Sequence, residues 1–359
     1  MNESADYSPR QLREHVNRLP RFPLGHLPTP LEFAERFSDA LGGPRLFLKR
    51  DDCTGLLFGG NKTRHNEFLI ADALQKGADT FVWGAGVQSN NCRQTAAACV
   101  KARLDCHLVL GRGKPLSAGE PDRVQGNLLL DHLAGASYEI VSEPVGAELD
   151  ARIAERADEF KAAGRNVYMW DRDAVKPLAA VSYVLCLLEI VEQAQEQGFT
   201  PDALYVCSAG STGSGLALAA AALGCDFPVR SICPIRWEWD TQTDMCRIAN
   251  RAAELIGIDT RLKRDDFDIT FDYIGPGYGR VSDAGLEAIQ RLARAEAVVL
   301  DPVYSGKAMA GLIDHVRNNR LAGAANVVFV HTGGTPALFA FTEELTAGIP
   351  RRQPPGVAD

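Results

Sequence analysis

Two rhythms share this chain. Short runs rich in Val, Ile, Leu and Phe alternate with longer stretches in which apolar residues recur every three or four positions. RLFLKR (residues 45–50), TFVWGAG (80–86), CHLVLG (106–111), YEIVS (138–142), NVYMW (166–170), ALYVCSAG (203–210), VRSICPI (229–235), VVLDPVY (298–304) and NVVFVHTGG (326–334) read as strands. Residues 61–77, 89–103, 126–136, 146–164, 181–197, 216–224, 243–257, 283–297 and 307–319 read as helices, several with a glycine stop. Apolar strands separated by such helices predict an α/β protein with parallel sheets covered on both faces. Ligands in these sheets sit where strand C-termini meet helix N-termini. Four turns occupy that junction: GGNK (59–62), GAGVQSNN (84–91), SAGSTGSG (208–215) and HTGGTP (331–336).

The longest apolar run, VSYVLCLLEIVEQA from Val181, is interrupted by Glu189. It predicts a buried amphipathic helix, since a bilayer span needs about 18 residues or more with few or no charges. The start, MNESADYSPRQLREHVNRLP, has no apolar stretch of a secretory signal, and the tail RRQPPGVAD is expected to fray. A length of 359 residues suggests two domains. A net charge of −8, with no basic run or aromatic–basic stripe, argues against nucleic acid. Nine scattered cysteines show no CxxC and no Cys/His ligand spacing. The expectation is buried free thiols in a reducing cytoplasm, with no disulfide framework and no metal site.

Chemistry enters at the turns. The glycines of SAGSTGSG let backbone N–H groups approach an anion at a helix start. The turn lacks the acidic ribose partner of a dinucleotide fingerprint and the Gly-Lys-Ser/Thr of a Walker loop. A single phosphate of a small cofactor suits it, with a tight packed turn as the alternative. GAGVQSNN offers Gln88, Ser89, Asn90 and Asn91, more polar side chains than an N-cap needs. Those uncharged donors suit a carboxylate or a phenolate oxygen. In GGNKTRHNEF, Asn61 is a candidate cap, while Lys62, Arg64 and His65 crowd the positive end of a helix dipole. A lysine fits there if its amine is neutral or an anion lies close by. Condensation with an aldehyde beside a phosphate meets both conditions; a solvated surface lysine is the alternative.

LPTPLE, FLKRDDCTGLLFGGNKTR, GVQSN with RQTAAA, YIGPGYG, DPVYSGKA and HTGGTPALF, in this order over about residues 20–345, resemble the pyridoxal-phosphate family of D-cysteine desulfhydrases and 1-aminocyclopropane-1-carboxylate (ACC) deaminases. The resemblance implies a tryptophan-synthase-β-like fold of two open, twisted, mostly parallel sheets with helices on both faces. It implies a large domain (1–60 plus 176–359), a small domain (61–175), pyridoxal 5′-phosphate in the cleft between them, and a homodimer. By the same resemblance Lys62 is the Schiff-base lysine, and Asn90 is the partner of the phenolic oxygen. Gly210, Ser211, Thr212 and Gly213 form the phosphate cup, and Ser89, Asn90 and Asn91 take the substrate carboxylate. Tyr278 and Tyr304 are the two active-site tyrosines, which stack, donate or shuttle a proton, and with Lys62 and Ser89 they are the expected catalytic groups. His65, Ser305 and Thr332 complete the expected cofactor contacts.

Departures from the family pattern shape the functional reading. Members usually read GGNKTRKLEF, so His65 stands where a lysine contacts phosphate, and histidine carries no fixed charge near neutral pH. The usual QSNH or QSNQ is QSNN, so Asn91 cannot act as a base. Trp83 and Phe58 are expected to border the substrate cleft. ACC deaminases resemble DPVYEGK, whose glutamate pairs with the pyridine nitrogen; here Ser305 can share only a neutral hydrogen bond, although His331 and Thr332 are also within expected reach. A weaker electron sink disfavours opening a cyclopropane and remains adequate for a good β-leaving group. The expected activity is therefore β-elimination from a small cysteine-like amino acid to pyruvate and ammonia. D-cysteine, releasing sulfide, comes first and L-cysteate, releasing sulfite, second. ACC deamination and a non-catalytic cofactor- or amino-acid-binding protein are the alternatives.

Overall fold

Ten strands form two sheets in the structure, a computed structural model that describes residues 6–112 and 123–347. They are β1 (Leu31–Phe33), β2 (Arg45–Lys49), β3 (Thr80–Gly86), β4 (Asp105–Gly111), β5 (Ser137–Val141), β6 (Val167–Met169), β7 (Ala203–Cys207), β8 (Val229–Ile232), β9 (Asp268–Thr270) and β10 (Asn326–Val330). The larger sheet has the order β1-β2-β10-β7-β8-β9 and the smaller β5-β4-β3-β6. Every pairing is parallel except β1 with β2 at the edge. In the larger sheet Val330 stands opposite Lys49 on one side and Val206 on the other, which brings three strand C-termini level. The two mostly parallel sheets with their helices are the α/β architecture the pattern predicts. The three-residue strands β1 and β9 are too short to leave a periodic signal. The tail expected to fray lies outside the described residues.

All four strands of the smaller sheet fall between Thr80 and Met169. The helix Asn61–Gln75 serves both layers: Phe68 is in the core with Tyr183 and Phe47, while Leu69, Ile70 and Ala73 pack with Trp83 and Phe81. This helix does not begin with an Asn61 cap. Gly60 is the N-cap residue, with φ of 127° that only glycine adopts without strain, and the missing cap comes from Gln94, whose Oε1 accepts from Thr63 N at 2.8 Å.

The longest helix, Arg172–Glu196, starts nine residues before the expected position, because Asp171 caps it by accepting from Asp173 N and Ala174 N. Pro177 lies inside the helix, in its second turn, where the bond an N–H would make to the Asp173 carbonyl is forgone. By length and apolar content it could cross a bilayer, but 83% of its most apolar window is buried inside the protein. Nor is it amphipathic: Glu189, expected to mark a polar face, is buried and ion-paired to Lys49 and Arg64. The run at 298–304 is not a strand. Asp301 accepts from the amides of Val303, Tyr304 and Ser305 at 2.9, 2.9 and 2.7 Å, which folds the run into the turn opening the helix Ser305–Arg317.

Candidate active site

Strand C-termini of both sheets end on one cavity of about 210 Å³, which opens between β3 and the long helix on one side and the β7 turn on the other. All four glycine-bearing turns contribute: Lys62, Asn90, Ser211 and Thr212, and Thr332 line it, together with Tyr278 and Tyr304.

Lys62 lies in the first turn of its helix and faces the cavity. Its amine is lowered to about 8, first by burial and then by the nearby charge of Lys176. The helix start is pinned from two directions. Asn61 N donates to Thr332 O at 3.0 Å, and Gly333 comes so close that a Cβ on it would stand 2.6 Å from Gly60 Cα. From the other side Arg93, fully buried, donates to the carbonyls of Leu57 and Gly59. Those carbonyls belong to a run of four residues at positive φ, Leu57 (40°), Phe58 (67°), Gly59 (65°) and Gly60. Two of the four carry side chains, so the run is strained and needs such a clamp.

The turn after β3 answers the capping question. Ser89 is the cap: its Oγ accepts from Asn91 N and Cys92 N, both at 3.1 Å, so its own proton remains to be donated. Asn90 is held differently. Asn127 Nδ2 donates to Asn90 Oδ1 at 2.8 Å, which leaves the Asn90 amide hydrogens for the cavity. Asn127 in turn accepts from Arg93 Nε and donates to Gln88 O, and Gln94 Nε2 donates to Asn90 O. Asn91 lines the cavity as well. Trp83 also borders it, whereas Phe58 is 63% exposed and turned to solvent.

At the β7 turn, Ser208 Oγ accepts from Gly210 N and Gly213 N at 3.3 and 2.8 Å. The amides of Ser211 and Thr212, at the start of the helix Ser211–Ala222, have no such partner among the described residues. Thr212 Oγ1 accepts from Asn61 Nδ2 at 3.1 Å and lies 3.4 Å from His65 Nε2. His65 is buried, and burial with the charges of Lys62 and Arg64 holds it well below the ordinary histidine value, so it is neutral. A Cβ on Gly210 would meet nothing within 4 Å, so its cavity side is open. Gly213 is not at the cavity surface: its amide belongs to Ser208, and a Cβ there would stand 2.6 Å from Ser231 Oγ. Its role is packing, not the cup contact expected of it.

Tyr278 and Tyr304 meet at 2.5 Å between their hydroxyls, rings edge to face at 69°. Burial raises both phenols, Tyr304 more strongly, so both keep their protons at neutral pH. Ser305 departs from expectation. It is fully buried behind the cavity wall, donates to Asp301 Oδ1 at 2.6 Å and accepts from Asp301 N. Its proton is committed, so it cannot donate to a cofactor in this arrangement. His331 likewise faces away, with Nε2 3.0 Å from Val299 O and Nδ1 accepting from Gly333 N.

These donors fit pyridoxal 5′-phosphate. The open amides of Ser211 and Thr212, with Thr212 Oγ1 and His65 beside them, suit a phosphate; the Asn90 amide suits a phenolic oxygen; and Lys62 offers an amine of lowered pKa to an aldehyde. Arg93, Gln94 and Asn127 were not singled out from the sequence. Arg93 and Gln94 lie one helical turn beyond Ser89 and Asn90, a spacing that places them on the same face.

The model of the family described as pyridoxal-phosphate-dependent enzymes matches residues 23–333. The chain is 38% identical to an ACC deaminase of Burkholderia ambifaria (strain MC40-6) over 333 residues, covering 92% of this chain and 98% of the relative. It is 37% identical to a D-cysteine desulfhydrase of Salmonella typhi over 330 residues, covering 91% and 98%. Among solved structures it is similar to an ACC deaminase homologue, with a TM-score of 0.84, 30% identity, and 94% and 98% of the two chains covered. The processed form of threonine deaminase isoform 2 from Solanum lycopersicum, at a TM-score of 0.64 and 16% identity over 96% of this chain and 89% of that one, shares the fold.

Proposed function

This chain belongs to the family of pyridoxal-phosphate-dependent enzymes and is a lyase; from that premise we propose that it eliminates the β-substituent of a small cysteine-like amino acid, D-cysteine first, giving pyruvate, ammonia and sulfide. The observation that carries this choice is at position 305. No carboxylate there faces the cavity, and among the described residues the only acidic one lining it is Asp150, which is paired with Arg172. A substrate with a good leaving group suits such a site better than an unactivated ring.

Bound pyridoxal phosphate supplies an electron sink for negative charge developing at the substrate α-carbon. The chain's own residues do the rest. Ser89 and Asn91 orient the substrate carboxylate, Ser89 with the proton its capping role leaves free. Asn90, fixed by Asn127, holds the cofactor ring by one edge. Lys62 Nζ, lowered to about 8, is available as a base for the α-proton near neutral pH. The Tyr278–Tyr304 pair keeps a proton at its shared hydroxyls, placed to protonate the departing thiolate. Leu69, Trp170 and Val175 make part of the cavity wall apolar.

The nine cysteines are all unpaired, which supports a cytoplasmic setting. A homodimer completes the proposal, and the exposed side chains of Leu129, Leu133 and Phe339 offer apolar surface for it. The test supplies both enantiomers of cysteine, L-cysteate and ACC, and measures pyruvate, sulfide, sulfite and 2-oxobutyrate separately. D-cysteine is expected to give pyruvate and sulfide in equal amounts, and Lys62→Ala to lower the rate at least about a thousandfold. Sulfite from L-cysteate as the main product, or 2-oxobutyrate from ACC, would overturn the choice of substrate.

A further inference from the structure

A cation beside a phosphate cup adds a charge-assisted hydrogen bond to those of the backbone, and the histidine at this cup's wall is neutral. His65 is uncharged, and the Arg64 guanidinium is turned away into a buried cluster with Asp51 and Glu189. The open amides of Ser211 and Thr212 supply partial charge only.

Lys176, on the long helix, is 7% exposed and lines the same cavity. Its Nζ donates to Asp244 Oδ2 at 2.7 Å, the one hydrogen bond that the described residues give it, so two N–H groups remain. Asp244 also accepts from Arg247 at 2.7 Å, so its charge is divided between two cations. The groups that hold the ammonium also touch the two flanks of the cup. On one side it lies 6.0 Å from the ring centre of Trp237, whose indole donates to Ala209 O at 3.3 Å. On the other, Met245, next to Asp244, accepts at its carbonyl from Ser214 Oγ at 3.0 Å. Ala209 and Ser214 bracket Ser211 and Thr212 in the chain. The same helix places Tyr183 edge-on to His65, 5.5 Å between ring centres, so one helix reaches both walls of the cup.

We propose that Lys176 is the cationic ligand of the cofactor phosphate, held for that purpose by Asp244. The proposal rests on the reading that this cavity holds pyridoxal phosphate. The substrate carboxylate is served elsewhere, by the Ser89–Asn91 turn of the smaller sheet. Lys176 is also near enough to Lys62 for its charge to lower that amine, and both side chains line the cavity.

The test removes the cofactor from the holoenzyme with hydroxylamine and titrates the protein with pyridoxal 5′-phosphate and, separately, with unphosphorylated pyridoxal. In Lys176→Met the affinity for the phosphorylated form is expected to fall roughly tenfold to a hundredfold, the loss of one charge-assisted hydrogen bond. Affinity for pyridoxal is expected to stay within about twofold of the parent, because pyridoxal makes no contact with the cup. Lys176→Arg is expected to restore most of the affinity, and the phosphorus NMR resonance of the bound cofactor to shift in Lys176→Met. Asp244 keeps Arg247 as partner, so Lys176→Met leaves no carboxylate unpaired. Unchanged affinity for the phosphorylated form, or an equal loss for both ligands, would overturn the proposal. If the parent protein bound neither ligand, the reading of the cavity itself would fail, a result distinct from a failure confined to the Lys176 variants.

Discussion

Arg64 and Arg93 are both fully buried on helices that begin at the cavity, yet Arg64 meets two carboxylates and Arg93 meets none. Arg64 makes paired contacts with Asp51 (2.8 and 2.9 Å) and with Glu189 (2.8 and 2.7 Å), and Lys49 joins Glu189 at 2.7 Å. Thr29 Oγ1 and the Tyr183 hydroxyl donate to the same two oxygens of Asp51. Two positive and two negative charges thus close on each other. Burial alone would raise Asp51, but Arg64 and Lys49 hold it below the ordinary carboxylate range. Arg93 spends its donors on neutral groups, Asn127 Oδ1 and two loop carbonyls, and burial lowers it to about 10. Asp131 lies near it with neither carboxylate oxygen hydrogen-bonded, and burial raises that acid to about 8. One arginine neutralises acids so that the helix behind Lys62 has a rigid base. The other fastens a strained backbone, and the acid nearby is left to carry a proton.

The largest test of this contrast is Arg64→Met. It strands two buried carboxylates with Lys49 as the remaining cation, and should cost about 3–5 kcal/mol in chemical denaturation. A loss under about 1 kcal/mol would show that the two clusters are not different in kind. Asp131→Asn should act in the opposite direction. The folded-state pKa, about 8, lies above the unfolded reference of 3.8, so the side chain is protonated in both states at low pH and contributes nothing there. As pH rises through that interval the unfolded chain ionises freely while the folded one resists, and stability falls until about pH 8. The variant should therefore gain on the order of 1–3 kcal/mol at pH 7, and the gain should disappear toward pH 4. Unfolding curves at pH 4 and pH 7 measure it, and an equal difference at both would refute protonation as the cause. Tyr183→Phe is the finest probe. It removes one of the several hydrogen bonds to Asp51, and about 0.5–1.5 kcal/mol is expected, because Arg64 and Thr29 remain.

The local half of this site was legible in the sequence. Glycines and small polar residues at strand-to-helix junctions identify the turns, and Lys62, Ser89, Asn90, Thr212 and the two tyrosines do meet at one cavity. The other half depends on pairings between distant segments. Asn127 has no local feature to distinguish it, yet it orients Asn90. Asp51 reads as a turn residue and is the centre of a buried ion cluster. At 298–304 apolar content outweighs the turn signal of Asp301-Pro302, and the long helix, capped by Asp171, starts nine residues before its apolar run. Ser305 illustrates a different limit: its residue type was informative, but its hydrogen-bond partner was not.

The contact between Gly60 and Gly333 also bears on how the protein is made. Lys62 emerges from the ribosome early, whereas Thr332 and Gly333, which hold its helix start, arrive close to the end of the described chain. Strand β2 likewise waits for β10 to cover its inner edge. Through most of translation Lys62 therefore sits on an unfinished scaffold with an open strand beside it, a span in which chaperone protection matters most.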